Sequence, residues 1–553
     1  MKKVAFLVAF VTFSFISNCL IAQITNNLNL GSIHGNFEST NQYYNIDTVI
    51  GAPIVDEKLL SNNFMNVIFN KGNFTAGARL EGYLNVLQGF DPNYKGFGIP
   101  YRYVGYTMDG LDVTVGNFYE QFGSGMILRS YEERALGIDN AFEGARLKYS
   151  PLKGLYLKGL IGRQRLFFTT SPGIVRGIDG ELVLNELSTM LDTAKTRITI
   201  GGSFVSKYQE DKDPVYNLPE NVASFAGRFN ISRSGLSLMG EYVYKMNDPS
   251  ADNYFIYKPG QALFLTLAYS QKGIGSSFTL KSIDNMSFRS DRTQSLTNLM
   301  INYLPATTRQ HTYNLAATLY PYNTQPTGEV GLQWDLIGKL KKKTWYGGKY
   351  GTLIALNYSL AHGLDTTQYE QISDPDSSRM AYTTNYFALG EQKYFQDINI
   401  EITRKINKKL KIKAAYINLF YNMEIVQGLG GRENIKANIA VLDVLYKIKP
   451  KHAIRVEAQG LWTEQDQGDW ATGVIEYTFS PHWFIAFMDQ FNYGNADANY
   501  RLHYPIASLG FNKSGNRFMM SYGRQRAGIF CVGGVCRNVP ASNGFTLSIT
   551  SSF

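Results

Sequence analysis

The chain has 553 residues, 44% of them hydrophobic, 14% aromatic and only 18% charged, with 52 glycines and 17 prolines. Length alone suggests three or four soluble domains, but the charged fraction is well below the ~25% usual for these, and no low-complexity tract supports a disordered or collagen-like chain. Beyond the first two dozen residues no apolar run approaches the ~20 residues of a membrane-spanning helix. The hydrophobicity is instead spread in single residues, the pattern of a transmembrane β-barrel.

Met1-Lys2-Lys3, the apolar stretch Val4 to Ile16 and Leu20-Ile21-Ala22 before Gln23 read as a secretory signal cleaved after Ala22. Asn18 stands where a lipobox wants a small residue, which disfavours lipidation of Cys19. Residues 23–553 then form one domain, and loss of Lys2 and Lys3 lowers the net charge from 54 − 45 = +9 to 52 − 45 = +7. The remaining basic residues are scattered, as in Lys339 to Lys343, and make no stripe for nucleic acid.

Apolar or small residues at Phe74, Ala76, Ala78, Leu80, Gly82, Leu84 and Val86 alternate with Thr75, Gly77, Arg79, Glu81, Tyr83 and Asn85. A strand sends alternate side chains to opposite faces. Arg79 and Glu81 therefore share one face. A charge on the lipid face at mid-bilayer would cost ~2–4 kcal/mol, so this face lines a lumen. The same reading places Glu241 and Lys245, then Arg455 and Glu457, on the lumen wall, with mixed-sign pairs bridging the strands.

Gly116 to Gly125 leads into Arg129, Glu132, Glu133, Arg134 and Asp139. This charge-dense connection lacks the spacing and βαβ context of a nucleotide loop. It either folds inward from Glu120 onwards and narrows the pore, or is a solvated outer loop. Two triplets, Arg163-Gln164-Arg165 and Arg524-Gln525-Arg526, are expected to put both arginines of each on one face near the external strand end. Their partners would be Glu120, Glu132 or Glu133 inside the barrel, or else an anionic ligand or lipopolysaccharide phosphate.

Short turns, such as 71–73, 109–110, 272–273 and 512–515, alternate with longer polar connections, such as 46–59, 208–220 and 362–392. Parity requires extra strands near 174–188 and 296–304, giving about 26 strands within a range of 22–28. Asp374 and Asp376 in the 362–392 loop lack an EF-hand pattern. The six histidines are dispersed, and no HExxH or GxSxG occurs, so the chain reads as a non-enzyme without metal or cofactor.

Cys531 and Cys536 flank Gly533-Gly534, whose tight reversal sets them opposite each other; in an oxidising envelope they form a disulfide. At the end of the chain, Phe545, Leu547, Ile549 and the terminal Phe553 lie on one face, against Thr546, Ser548, Thr550 and Ser552. This resembles the C-terminal signal of bacterial outer-membrane barrels. The stretches Gly116 to Arg129 and Tyr522 to Arg537 together resemble an uncharacterised, full-length family of Bacteroidota outer-membrane β-barrel proteins. The resemblance implies fold and location but no activity or functional residue.

The expected protein is a large antiparallel transmembrane β-barrel in the outer membrane with both termini periplasmic. Its expected work is a channel or transporter for hydrophilic solutes, or the barrel of a secretion or surface-assembly complex. Expected partners are outer-membrane lipid and lipopolysaccharide, the barrel-insertion machinery and envelope proteins.

Overall fold

The computed structural model describes residues 31–368, 381–532 and 535–553. The signal segment, Asp374, Asp376 and the Gly533-Gly534 pair lie outside the described residues. One closed antiparallel sheet of 24 strands runs through the chain. In chain order its strands are β1 (Ser32–Tyr44), β2 (Leu59–Lys71), β3 (Phe74–Tyr83), β4 (Gly96–Met108), β5 (Leu111–Phe118), β6 (Phe142–Leu152), β7 (Leu155–Leu166), β8 (Thr169–Val183) and β9 (Thr196–Tyr208). There follow β10 (Asn221–Arg233), β11 (Leu236–Lys245), β12 (Gly260–Gln271), β13 (Ile274–Asp284), β14 (Gly328–Lys339), β15 (Thr352–Gln368), β16 (Tyr382–Lys405) and β17 (Leu410–Tyr421). The last are β18 (Ile435–Lys449), β19 (His452–Trp462), β20 (Trp470–Phe479), β21 (Trp483–Phe491), β22 (Ile506–Lys513), β23 (Asn516–Gln525) and β24 (Ser542–Ser552).

Each strand pairs with its sequence neighbour, and β1 closes the ring against β24. Closure leaves no open edge, which is what allows a sheet to lie in lipid. The terminal Phe553 exchanges both backbone hydrogen bonds with Gly35, at 2.9 and 3.0 Å. The start of β1 and the terminal Phe553 lie at the end of the barrel that carries the short turns, since Ser32 faces Asn70 beside the 72–73 turn and Phe553 bonds Gly35. Tyr43, Phe545 and Tyr522 form an exposed outward row near the long-loop end, where aromatic rings anchor a barrel in the membrane interface.

The 24 strands fall within the expected range. The stretch near 174–188 belongs largely to β8, but 296–304 makes no wall strand. Its apolar residues Leu299, Ile301 and Leu304 are buried inside the barrel. Burial within a lumen and exposure to lipid select the same residues, so sequence pattern alone does not separate them. The predicted loop 362–392 is shorter than expected, because β15 continues to Gln368 and β16 starts at Tyr382.

Candidate functional site: a lumen closed from within

Two connections turn inward. Residues 119–141 leave the wall after β5 and return at β6, where Phe118 pairs with Phe142. Residues 285–327 leave after β13 and return at β14; Asn285 and Met286 donate amides to the carbonyls of Thr327 and Pro326. The two segments also join each other. The Arg129 amide donates to Ile301 O at 2.8 Å, and the Tyr303 amide to Gly125 O at 2.9 Å. Phe122, Met126, Ile127, Leu128, Met286 and Phe288 pack against inward Val175, Val205 and Val243. The lumen near the long-loop end is thus filled by an apolar core.

Charges fix this core to the wall. Arg79 Nε meets Glu81 Oε1 at 2.7 Å, and its Nη1 meets Glu132 Oε2 at 2.9 Å. Arg79 also ion-pairs with Asp139. Arg165 contacts Glu81 and Asp139, each at 2.5 Å, and its Nε donates to Phe167 O at 2.6 Å. Tyr119 donates to Asp139, and the Arg79 guanidinium lies 4.9 Å from the Tyr101 ring. Arg134 bridges Glu132 at 2.6 Å and Glu38 at 2.8 Å. Three arginines thus meet four carboxylates in a hub that is nearly dry around Arg79, Glu81, Asp139 and Arg165 and partly open at Arg134, Glu132 and Glu38, and each ionic group has a charged partner.

The second segment hangs from lysines on alternate strands. Lys207 on β9 donates to Arg289 O, Lys245 on β11 to Ser287 O, and Lys281 on β13 to Pro305 O, at 2.9, 2.5 and 2.6 Å. All three are fully buried. Carboxylates balance them: Asp248 lies 2.6 Å from Lys207, and Glu329 lies 2.5 Å from Lys281. Beyond this clamp, residues 305–322 pack Leu315, Tyr320 and Tyr322 against Phe395, Leu419 and Tyr421. A chamber of about 580 Å³ remains there, with Arg309, His311, Thr312, Asn314, Tyr320 and Phe395 among its lining. His311 Nε2 lies 2.5 Å from buried Asp397, and Arg309 donates to Asn399 at 2.8 Å.

Towards the short turns the inward face is polar and partly exposed. It carries Arg228 with Asp179 and Glu181, Lys413 with Glu401, and Arg455 with Asp443 and Glu457. This half forms a vestibule of mixed charge, which gives no strong field of one sign.

The Cys531–Cys536 disulfide closes a small hairpin of Gly528–Val532 and Val535–Val539. The hairpin touches both inward segments: Gln310 donates to Cys531 O at 2.6 Å, and Arg537 Nε donates to Ala135 O at 2.7 Å. Burial lowers the Arg537 guanidinium to about 10. Closing so short a loop is worth ~2 kcal/mol. A Cys531→Ser variant is expected to lose about that much hairpin stability. Intact protein should resist alkylation until reduced; labelling without reductant would contradict the bond.

The structure brings Arg79, Glu81, Glu132, Arg134 and Arg165 together and places Glu120 beside Lys148 and Lys158 at 3.1 and 3.0 Å. Arg129 is sandwiched by Tyr131 and Tyr303, at 4.7 and 4.1 Å. Among the described residues Glu133 accepts only from the nearby Ala135 amide. Arg455 and Glu457 pair as expected, but Glu241 does not pair with Lys245. It accepts the Ser124 amide at 2.7 Å, while Lys245 reaches Ser287.

Neither arginine triplet shares one face. A register shift between Arg163 and Arg165 leaves Arg163 exposed and turns both Gln164 and Arg165 inward. β23 ends at Gln525, so Arg526 leaves the strand pattern. Arg524 pairs with Asp47 at 2.7 Å. Arg526 is buried against Trp470 and bonds Gln490 and Thr318, and burial lowers it to about 10. The sequence placed Lys245 on the lumen wall but did not single out Lys207, Lys281, Asp248 or Glu329, because nothing in strand periodicity shows that residues 285–327 return into the lumen to meet the lysines.

A closed 24-strand antiparallel barrel with an apolar outer band and internal plug segments is a barrel of the outer-membrane type. The chain belongs to the family described as a family of unknown function (DUF6029), whose model matches residues 1–553. No curated protein matches it. Among solved structures it is similar in fold to the P pilus usher (PapC) translocation pore, with 9% identity, a TM-score of 0.41, and 94% of this chain and 99% of that chain covered. It is likewise similar to a ferric enterobactin receptor (PfeA) mutant from Pseudomonas aeruginosa, with 11% identity, a TM-score of 0.42, and coverage of 95% and 80%. For Pseudomonas aeruginosa OccD3 (OpdP) the values are 10%, 0.34, 81% and 91%.

Proposed function

We propose that the protein is an outer-membrane channel or transporter for hydrophilic solutes, closed at rest by its inward segments, with both termini in the periplasm. The observation that carries this reading is the division of the lumen. A polar vestibule opens towards the short turns, and a mostly apolar chamber with Arg309, His311 and Asn314 on its lining lies against segments that are anchored by side chains and not woven into the wall. Both segments leave and re-enter the sheet at paired residues, so each can be shortened without cutting the barrel. In planar bilayers the intact protein is expected to pass little current. Replacing 287–325 with a short glycine turn, together with deletion of 121–139, is expected to give discrete ohmic steps. A doubly shortened, correctly folded barrel that stays silent would end the channel reading.

One feature favours a second reading, a barrel that docks partners. At the short-turn end the β14–β15 connection presents Trp345, 90% exposed, beside Tyr346 and Lys341 to Lys343. Recovery of the barrel alone from gently solubilised membranes would count against it.

A further inference from the structure

Strands β5 and β6 stop at Phe118 and Phe142, where the chain enters the lumen, while β4 and β7 on either side continue. β4 pairs with β5 only from Tyr103 downwards but pairs with β3 up to Gly96. The wall therefore has a notch between β4 and β7. The β7–β8 connection is only Phe167-Phe168, and Phe168 packs across the notch: a Cβ on Gly96 or Gly98 would lie 3.3 or 3.1 Å from its ring. A groove of about 540 Å³ fills the notch, lined among others by Phe97, Ile99, Arg102, Glu143, Arg165 and Phe168.

The outward face below this groove is charged. Arg102 pairs with Glu143 at 2.9 Å, bridging over the short strand β5. Arg163 stands directly opposite Glu143 in register. Arg176 on β8 stands opposite Ile161 and so diagonal to Arg163. These arginines share the outward face with Val104, Ile161 and Ile178, all exposed. Arg163 and Arg176 make no ion pair among the described residues.

Their height decides what they meet. Arg163 lies about 20 Å above Leu155, at ~3.3 Å per residue and a tilt of ~40°, near the upper edge of an apolar band ~25 Å tall. Lipid headgroups begin at that level, and the cost of an outward arginine falls towards it. Three arginines against one carboxylate leave two positive charges (3 − 1), above an aliphatic wall and beside an aromatic groove.

We infer that this patch binds a phosphorylated membrane lipid. Its phosphate is held by the planar forks of Arg163 and Arg176, with Arg102 at the groove mouth, and its acyl chains lie along Val104, Val115, Ile161 and Ile178. Guanidinium forks match phosphate oxygens in pairs. The groove takes the part of the headgroup nearest Phe97, Ile99 and Phe168. The proposal rests on the lipid-facing orientation of this wall and not on solute passage, so a silent barrel would leave it standing.

The test is native mass spectrometry of the detergent-purified full chain titrated with diphosphoryl lipid A. Wild type is expected to retain one equivalent, and Arg163→Gln with Arg176→Gln to reduce retention at least about tenfold, the loss of roughly one strong contact. Unchanged heat-dependent gel mobility would show that the variant folds. Lipid A stripped of phosphate is expected not to be retained. Equal retention by wild type and variant, or equal retention of the stripped lipid, would overturn the assignment. So would displacement of the lipid by an equal concentration of inorganic phosphate, which would mark a free-anion site.

Discussion

Glu81→Ala is expected to release the 119–141 segment from the wall while leaving the barrel intact. Glu81 supplies both carboxylate oxygens that meet Arg79 and Arg165, at 2.7 and 2.5 Å, and all three residues are almost fully buried. Its loss leaves Asp139 to serve two guanidinium groups, with Glu132 reaching Arg79 but not Arg165. Breaking a buried pair from one side costs ~3–5 kcal/mol, because the surviving charge stays dehydrated. The hub sits at the junction of one wall and one inward segment, so the cost falls on docking of the segment. Hydrogen exchange across 121–139 should quicken by about two to three orders of magnitude, with each tenfold change worth ~1.4 kcal/mol, while wall strands keep their protection. The double variant Glu81→Leu with Arg165→Met should restore protection, because an apolar replacement of a whole pair is often neutral or stabilising. Failure of that rescue would mean that Glu81 acts through something other than charge balance.

The two halves of this hub differ in how far sequence reveals them. Arg79 and Glu81 were legible because strand periodicity fixes their common face and the cost of exposing charge to lipid fixes which face it is. The inward course of Glu132 and Arg134 was one of two open readings, since a charged connection is equally at home in water. Arg165 was legible as a lumen residue but for the wrong reason. A one-residue bulge separates it from Arg163, and a bulge reverses the facing of everything beyond it. Arg163, before the bulge, keeps the regular alternation with Ile161 and faces outward to the lipid-facing patch. Residues 285–327 were illegible for a different reason: a segment that packs inside a barrel meets apolar neighbours just as a wall strand meets lipid. Lys245 therefore read as an ordinary lumen charge, Lys207 and Lys281 drew no reading at all, and Glu241 was assigned to Lys245 when its partner is the Ser124 amide.

Lys281→Met provides the separate test of the second segment. Lys281 donates to Pro305 O at 2.6 Å and neutralises Glu329 at 2.5 Å, with neither side chain exposed. Methionine keeps the length of the side chain but removes the charge and the donor. Among the described residues Glu329 then keeps only the Tyr322 hydroxyl and the Gln325 amide, each at 2.6 Å, and both donors belong to the segment being held. Two hydrogen bonds do not replace a cation in a dry site, so ~3–5 kcal/mol of anchoring should again be lost. An Ala306→Cys reporter, at the chamber lining, measures the result. Its alkylation should rise about a hundredfold or more in the Lys281→Met background and far less with Glu81→Ala, because the hub holds 119–141 and the lysine holds 285–327. Equal rises in both backgrounds would show that the segments move as one body, tied through the Arg129–Ile301 and Tyr303–Gly125 backbone bonds. Adding Glu329→Leu should return the reporter towards its wild-type rate, since the stranded charge, and not the missing amine, is what drives the segment out.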